Sequence, residues 1–393
     1  MVRFQEKDRA RKGKQSRMAD QKRMANYELL RILAMVMVVV LHFLTHSDCL
    51  ISLDQSLDGV RILGTLLEFF CLVAVNVYVF ISGYFGVNSS FKPSKAVALL
   101  CQIWFYALLI PLVLSAAGVP VVAWEEGRLN LYGLVQYVFP IETEHYWFAT
   151  SYFMLYLLSP ILNTAVRNMS KKQMQIMLGG LLVLFCIIKS ISPIPFVTDR
   201  YGYDLSWFIC VYLVAAYLGR YGFPFMEKNG WAIYVGSCLA GFGLHLVAWV
   251  VCQRWTSFQY YSSVPFHYNF IFCLTGAIGL FYGFSHIQIK EGRMAQLIRK
   301  MGALSFGIYL LHEHIDVRPL WYGWISGIVN PTGVRGIGTF IWELFCCIVL
   351  IFAVGMIIDG IRSKLFLGAA AALGQTRAGR KLKELDGFFA IRS

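Results

Sequence analysis

YELLRILAMVMVVVLHFLTH, residues 27 to 46, decides how the rest of the chain is read. Its apolar body is long enough, at about 1.5 Å of rise per residue, to cross the roughly 30 Å hydrocarbon layer of a bilayer. It nevertheless holds Arg31 near its start and His42 near its end. Eleven residues make close to three whole turns, so the two side chains leave the same helix face about 16 Å apart along the axis. Ionisable groups in such a segment are costly and usually face a bundle interior or a water-filled path. The spacing also suits an Arg31 that snorkels to lipid phosphates and a His42 that is a hydrogen-bonded core histidine, and spacing leaves both readings open.

The remaining chain is of the same kind. Of 393 residues, 58% are hydrophobic and 15% charged, and the mean hydropathy is +0.59. A soluble protein of this size has too little interior to hide so much apolar surface, so the long uncharged runs read as membrane helices. Ten such runs are expected at about 29–48, 62–85, 96–117, 145–162, 174–191, 205–220, 231–252, 265–285, 301–325 and 337–361. The expected fold is an all-α integral membrane protein of about ten transmembrane helices with both termini cytoplasmic. Charge placement agrees with that threading. The segments it puts inside hold 27 Lys and Arg, and the loops it puts outside hold seven, as the positive-inside rule requires.

Three parts are expected: a basic cytoplasmic tail at 1–26, a membrane domain at 27–363 and a cytoplasmic C-terminal tail at 364–393. The first carries nine Lys and Arg and little to bury. The net charge of +13 suggests nucleic acid at first sight, but the basic residues sit at helix ends and tails, where membrane topology puts them. Ten cysteines fall mostly inside apolar runs, without a CxxC, and read as small buried hydrophobes instead of disulfide or zinc partners. No cleavable signal peptide and no appended soluble domain are expected.

The opening segment ELLRILAMVMVVVLHF resembles that of the acyltransferase family 3 membrane proteins, whose signature is an Arg, ten residues and a His on the first helix. VNVYVFISGYFGV (75–87) resembles the family's second-helix motif, which ends in a Ser-Gly-Tyr turn. HYWFATSYFMLYLLSPILN (145–163), GYDLSWFICVYLVAAYLGRYG (202–222), SFGIYLLHEHIDVRPLW (305–321) and IIDGIRSKLF (357–366) resemble the bacterial polysaccharide-modifying branch. The strings occur in the same order, from about residue 25 to 366.

The resemblance implies transfer of an acyl group, acetyl or succinyl, from cytoplasmic acyl-CoA to a hydroxyl of a cell-surface or lipid-linked polysaccharide by a multi-pass protein of the bacterial cytoplasmic membrane. Acetyl-CoA is the expected donor, and no metal is expected. His42 carries over as the catalytic base or acyl relay, and Arg31 as its catalytic partner or a donor-binding residue. Lys92, Lys95, Ser82 and Tyr84 are the other donor-site candidates. The family often has Asp where Asn76 stands and arginines where Lys92 and Lys95 stand; Lys binds phosphate as a point charge without the Arg fork. Glu68, Trp147, Trp207, His312 and His314 are the acceptor-site candidates. Glu68 also suits a carboxylate partner for His42, and a pairing with another polar group suits it equally.

His46, one turn beyond His42, suits a two-histidine metal site, but the sequence supplies no third ligand at fixed spacing. The alternative function class is transport. A glycan or anion transporter would use Arg31, His42 and Glu68 as a path and would show paired broken helices in two related halves, and the sequence has no such repeat. The expected partners are the bilayer, acyl-CoA and a glycan on the outer side, with no nucleic acid. The oligomeric state is left open.

Overall fold

The apolar runs become helices in the computed structural model, which describes residues 24–125, 127–334 and 336–390. The order is α1 (Ala25–Ser47), α2 (Gly59–Cys71), α3 (Ala74–Gly86), α4 (Pro93–Ala116), α5 (Leu131–Val138) and α6 (Trp147–Asn168). Next come α7 (Lys171–Leu182), a π-helical turn at Val183–Ile187 and α8 (Ile188–Ile191), then α9 (Leu205–Tyr221), α10 (Pro224–Lys228) and α11 (Gly230–Arg254). The chain closes with α12 (Ile271–Ser285), α13 (Arg293–His312), α14 (Trp321–Val329), α15 (Ile337–Gln375) and α16 (Arg377–Phe388). A short antiparallel pair, Trp124–Glu125 with Arg128–Leu129, lies in the connection before α5.

This is an all-α membrane protein. Seven stretches are long and apolar enough to cross a bilayer: Ala25–Ser47, Gly59–Gly86, Pro93–Ala116, Lys171–Ile191, Gly230–Arg254, Thr256–Ser285 and Ile337–Gln375. The three other expected segments are helical too, as α6, α9 and α13. Of these, α9 is 17 residues long and α13 opens in the basic stretch Arg293 to Lys300. The basic tail expected at 1–26 lies, up to residue 23, outside the described residues.

Two boundaries differ from expectation in ways that matter. The apolar run at 301–325 is not one helix: it stops at His312 and resumes at Trp321. Pro319 has no N–H to give a helix and disfavours helical backbone before it, and the resulting bend carries Glu313, His314 and Arg318. The last long helix runs on to Gln375, past the end of the apolar run expected at 337–361.

Helix α1 is the centre of the bundle. It packs on α2, α3, α12, α13 and α15, and Leu30, Ala34, Val39, Phe43 and Leu44 have no exposure. Small residues let the backbones approach, as membrane bundles require when no hydrophobic force separates helix from lipid. A Cβ on Gly83 would lie 2.5 Å from the Tyr212 carbonyl oxygen of α9, and one on Gly279 would lie 2.6 Å from the Tyr234 nitrogen of α11. Ser82-Gly83-Tyr84 is therefore the closing part of helix α3, not a turn; its glycine is a contact surface.

Candidate active site

The face of α1 named from its spacing is the face that meets a cavity. Met35, Val38 and His42 line it, and Arg31 lies one turn before Met35 on the same stripe. The other walls are Val75 and Tyr78 of α3, Trp147 and Phe148 of α6, Phe306 and Tyr309 of α13, and Tyr268 in the turn before α12. The cavity is about 30 Å³, room for about two water molecules. A thioester or a sugar is larger than this space.

At one end of the cavity His42 meets the bend after α13. Its Nδ1 is 2.9 Å from His312 Nε2 and 3.3 Å from Glu313 Oε1. His312 is fully buried, and its Nδ1 is 2.6 Å from the Ile308 carbonyl oxygen. A carbonyl only accepts, so His312 Nδ1 carries the proton and, with the ring neutral, its Nε2 is a bare acceptor. His42 Nδ1 must then be the donor. That assignment leaves His42 Nε2 as the lone pair, and no residue of the described chain hydrogen-bonds it. Glu313 is 4% exposed, its Oε1 has no hydrogen bond, and its Oε2 is 3.8 Å from Arg318 Nη1.

One ligand-type atom each from His42, His312 and Glu313 lies within 4.8 Å of the others, so the residue types suit a metal ion. The distances suit a hydrogen bond better. Two nitrogens on one tetrahedral zinc, each at about 2.0–2.1 Å, stand about 3.3 Å apart, whereas 2.9 Å is the usual N–H···N separation.

At the other end, Arg31 pairs with Glu28, which is almost fully buried against Gly302 of α13. Tyr78 ties the two ends together: its ring lines the cavity and its hydroxyl donates to the Arg31 carbonyl oxygen at 2.7 Å. From Tyr78 a line of hydroxyls continues. Ser82 Oγ donates to the Tyr78 carbonyl oxygen at 3.0 Å and lies 3.1 Å from the Tyr152 hydroxyl. One turn along α6, the Tyr156 hydroxyl contacts both the backbone N–H and the carbonyl oxygen of Lys92, at 3.2 and 3.1 Å. Lys92 and Lys95 are exposed at the start of α4. Tyr84 is not on this line; it packs among Phe80, Phe85 and Phe281.

The acceptor candidates separate in the same way. Trp147 lines the cavity and packs with Tyr203 and Tyr268 at ring separations of 4.5 and 5.7 Å. Trp207 is buried, and its indole N–H is bonded to Asn76 Oδ1 at 2.9 Å, so it belongs to the packing behind the site. His314 points away from His312 into a second buried group with His145, Tyr137 and Asp316. His46 packs edge-on against Trp321. Glu68 is buried with Oε2 unbonded, and the carboxylate against His42 is Glu313. Tyr78, Tyr268 and Tyr309 are cavity residues for which the sequence gives no local signal, since each is an aromatic in an apolar run.

A family profile described as an acyltransferase domain, that of the acyltransferase 3 family, matches residues 24–360. No curated protein and no solved structure matches the chain significantly.

Proposed function

Because the chain belongs to the acyltransferase 3 family and is a membrane acyltransferase, we propose that it moves an acetyl or succinyl group from cytoplasmic acyl-CoA to a hydroxyl of a polysaccharide or its lipid-linked precursor, in a bacterial cytoplasmic membrane. The observation that carries the reading is the position of His42: it lines the cavity on the α1 stripe of Arg31, with Nδ1 engaged and Nε2 bare.

Arg31 and the exposed Lys92 and Lys95 supply positive charge at one end for the coenzyme phosphates. The hydroxyls of Tyr78, Ser82, Tyr152 and Tyr156 lie between that end and the cavity, where a pantetheine arm with its amides needs hydrogen-bonding partners. Trp147 with Tyr203 and Tyr268 supplies flat aromatic faces at the cavity wall, the surface a sugar ring stacks on. The bare Nε2 of His42 either takes the proton of the attacking hydroxyl or is itself acylated and passes the group on. Both routes use the same atom. We propose that no metal takes part in either.

The test is steady-state turnover of acetyl-CoA by purified protein in liposomes. His42→Ala is expected to reduce turnover by at least about 10²-fold, the usual worth of a general base, while retaining its thermal midpoint. Parent-level turnover in that variant removes His42 from the reaction.

A further inference from the structure

We infer that His312 and Glu313 form a support behind His42: His312 fixes its tautomer, and Glu313 holds the charge that appears on the ring when Nε2 takes a proton. The inference rests on the acyl-transfer reading and adds to it two positioning residues that do not touch the substrate.

In direct transfer the acceptor oxygen attacks the thioester carbonyl, its proton moves to His42 Nε2, the C–O bond forms and the C–S bond breaks. The proton on Nε2 then goes to the departing sulfur, giving an ester and a free thiol. Between those moves the ring is an imidazolium in an apolar cavity, and an unpaired buried charge is strongly disfavoured. The nearest anion is Glu313: Oε1 is 3.3 Å from Nδ1 and has no other hydrogen bond. A buried carboxylate oxygen left without a bond is what the resting enzyme pays for having an acceptor ready at that moment.

His312 supplies what a carboxylate alone does not. With its own Nδ1–H held by the Ile308 carbonyl oxygen at 2.6 Å, its Nε2 only accepts, at 2.9 Å from His42 Nδ1. The proton therefore stays on Nδ1, and the lone pair stays on Nε2. What sets Glu313 apart from Glu68, whose Oε2 is also buried and unbonded, is that its free oxygen lies 3.3 Å from His42 Nδ1.

Glu313→Gln keeps the shape and removes the charge; His312→Phe removes the acceptor; Glu313→Asp restores a carboxylate. Each full-length variant is reconstituted in liposomes beside His42→Ala, with acetyl-CoA as the probe and water as acceptor. Glu313→Gln is expected to lower kcat by about 10²-fold with KM for acetyl-CoA within about threefold, and Glu313→Asp to recover part of the loss. In ring-¹⁵N-histidine protein, the resonances missing from His42→Ala should report a protonated Nδ1 and a bare Nε2 in the parent, and a tautomer mixture in His312→Phe. If Glu313→Gln and His312→Phe keep the parent kcat while His42→Ala is inactive, the support is wrong and the acyl-transfer reading stands. An active His42→Ala sinks that reading instead. One tightly held metal per active protein, lost in His312→Phe, overturns the support in favour of a metal centre. Should His312→Phe fail to fold, the kcat of Glu313→Gln decides.

Discussion

At the residue scale, Asn76 shows how one position ties the site to its frame. Its Nδ2 donates to the Tyr268 carbonyl oxygen at 2.8 Å and contacts Cys273 Sγ at 3.3 Å, while its Oδ1 accepts from the Trp207 indole at 2.9 Å. Only an amide gives and takes at once. The Asp often found here in the wider family would face a carbonyl oxygen with another oxygen. We expect Asn76→Asp to cost about 2–3 kcal/mol, the price of unmatched buried polar groups; an unchanged thermal midpoint in detergent would show that the amide's donors are not needed. Since Tyr268 lines the cavity, turnover should fall with stability.

At the element scale, the helices are held by a few polar locks set among apolar faces. Asp359 of α15 is fully buried and joined to Arg362 by two hydrogen bonds of 2.6 and 3.0 Å; Tyr106 and Gln102 of α4 also donate to it, at 3.0 and 3.1 Å. Removing one partner of such a pair leaves an uncompensated charge, which costs about 3–5 kcal/mol. Asp359→Ala is therefore expected to destabilise strongly, and adding Arg362→Leu should return most of the loss. A double variant no more stable than the single one would mean that the α4 hydroxyl and amide, not the arginine, set the cost. The IIDGIRSKLF string thus has a structural use at 359 and 362.

At the scale of the whole molecule, the proposed reaction needs the two ends of the α1 stripe to face opposite compartments. Charge placement puts the loop at 88–95 inside and the loop before α9 outside. Asn88 and Val197 are exposed on these loops. A cysteine at 197 should react with an impermeant maleimide on intact cells, and one at 88 only after permeabilisation, each scored against the parent with its native cysteines. Equal labelling from outside would reverse the donor and acceptor ends. The narrowness of the cavity belongs to this scale as well: its walls come from α1, α3, α6 and α13 and the turn before α12.

Composition and periodicity made the helical membrane fold legible, because a run of apolar residues about 30 Å long has few other places to go. They also placed Arg31 and His42 on one stripe, because helix geometry converts spacing into direction without reference to neighbours. Where a helix stops was less legible: the break at 313–320 depends on Pro319 and on polar residues that satisfy one another only after folding. The pairing of His42 was not legible, although His312 stood among the acceptor-site candidates. His312 and Glu313 stand about 270 residues away in the chain, and local sequence carries no record of which distant side chain completes a hydrogen bond. For the same reason Trp147 and Trp207, alike as residues in matched strings, divide into a cavity wall and a buried brace only when α3, α6 and α9 pack together.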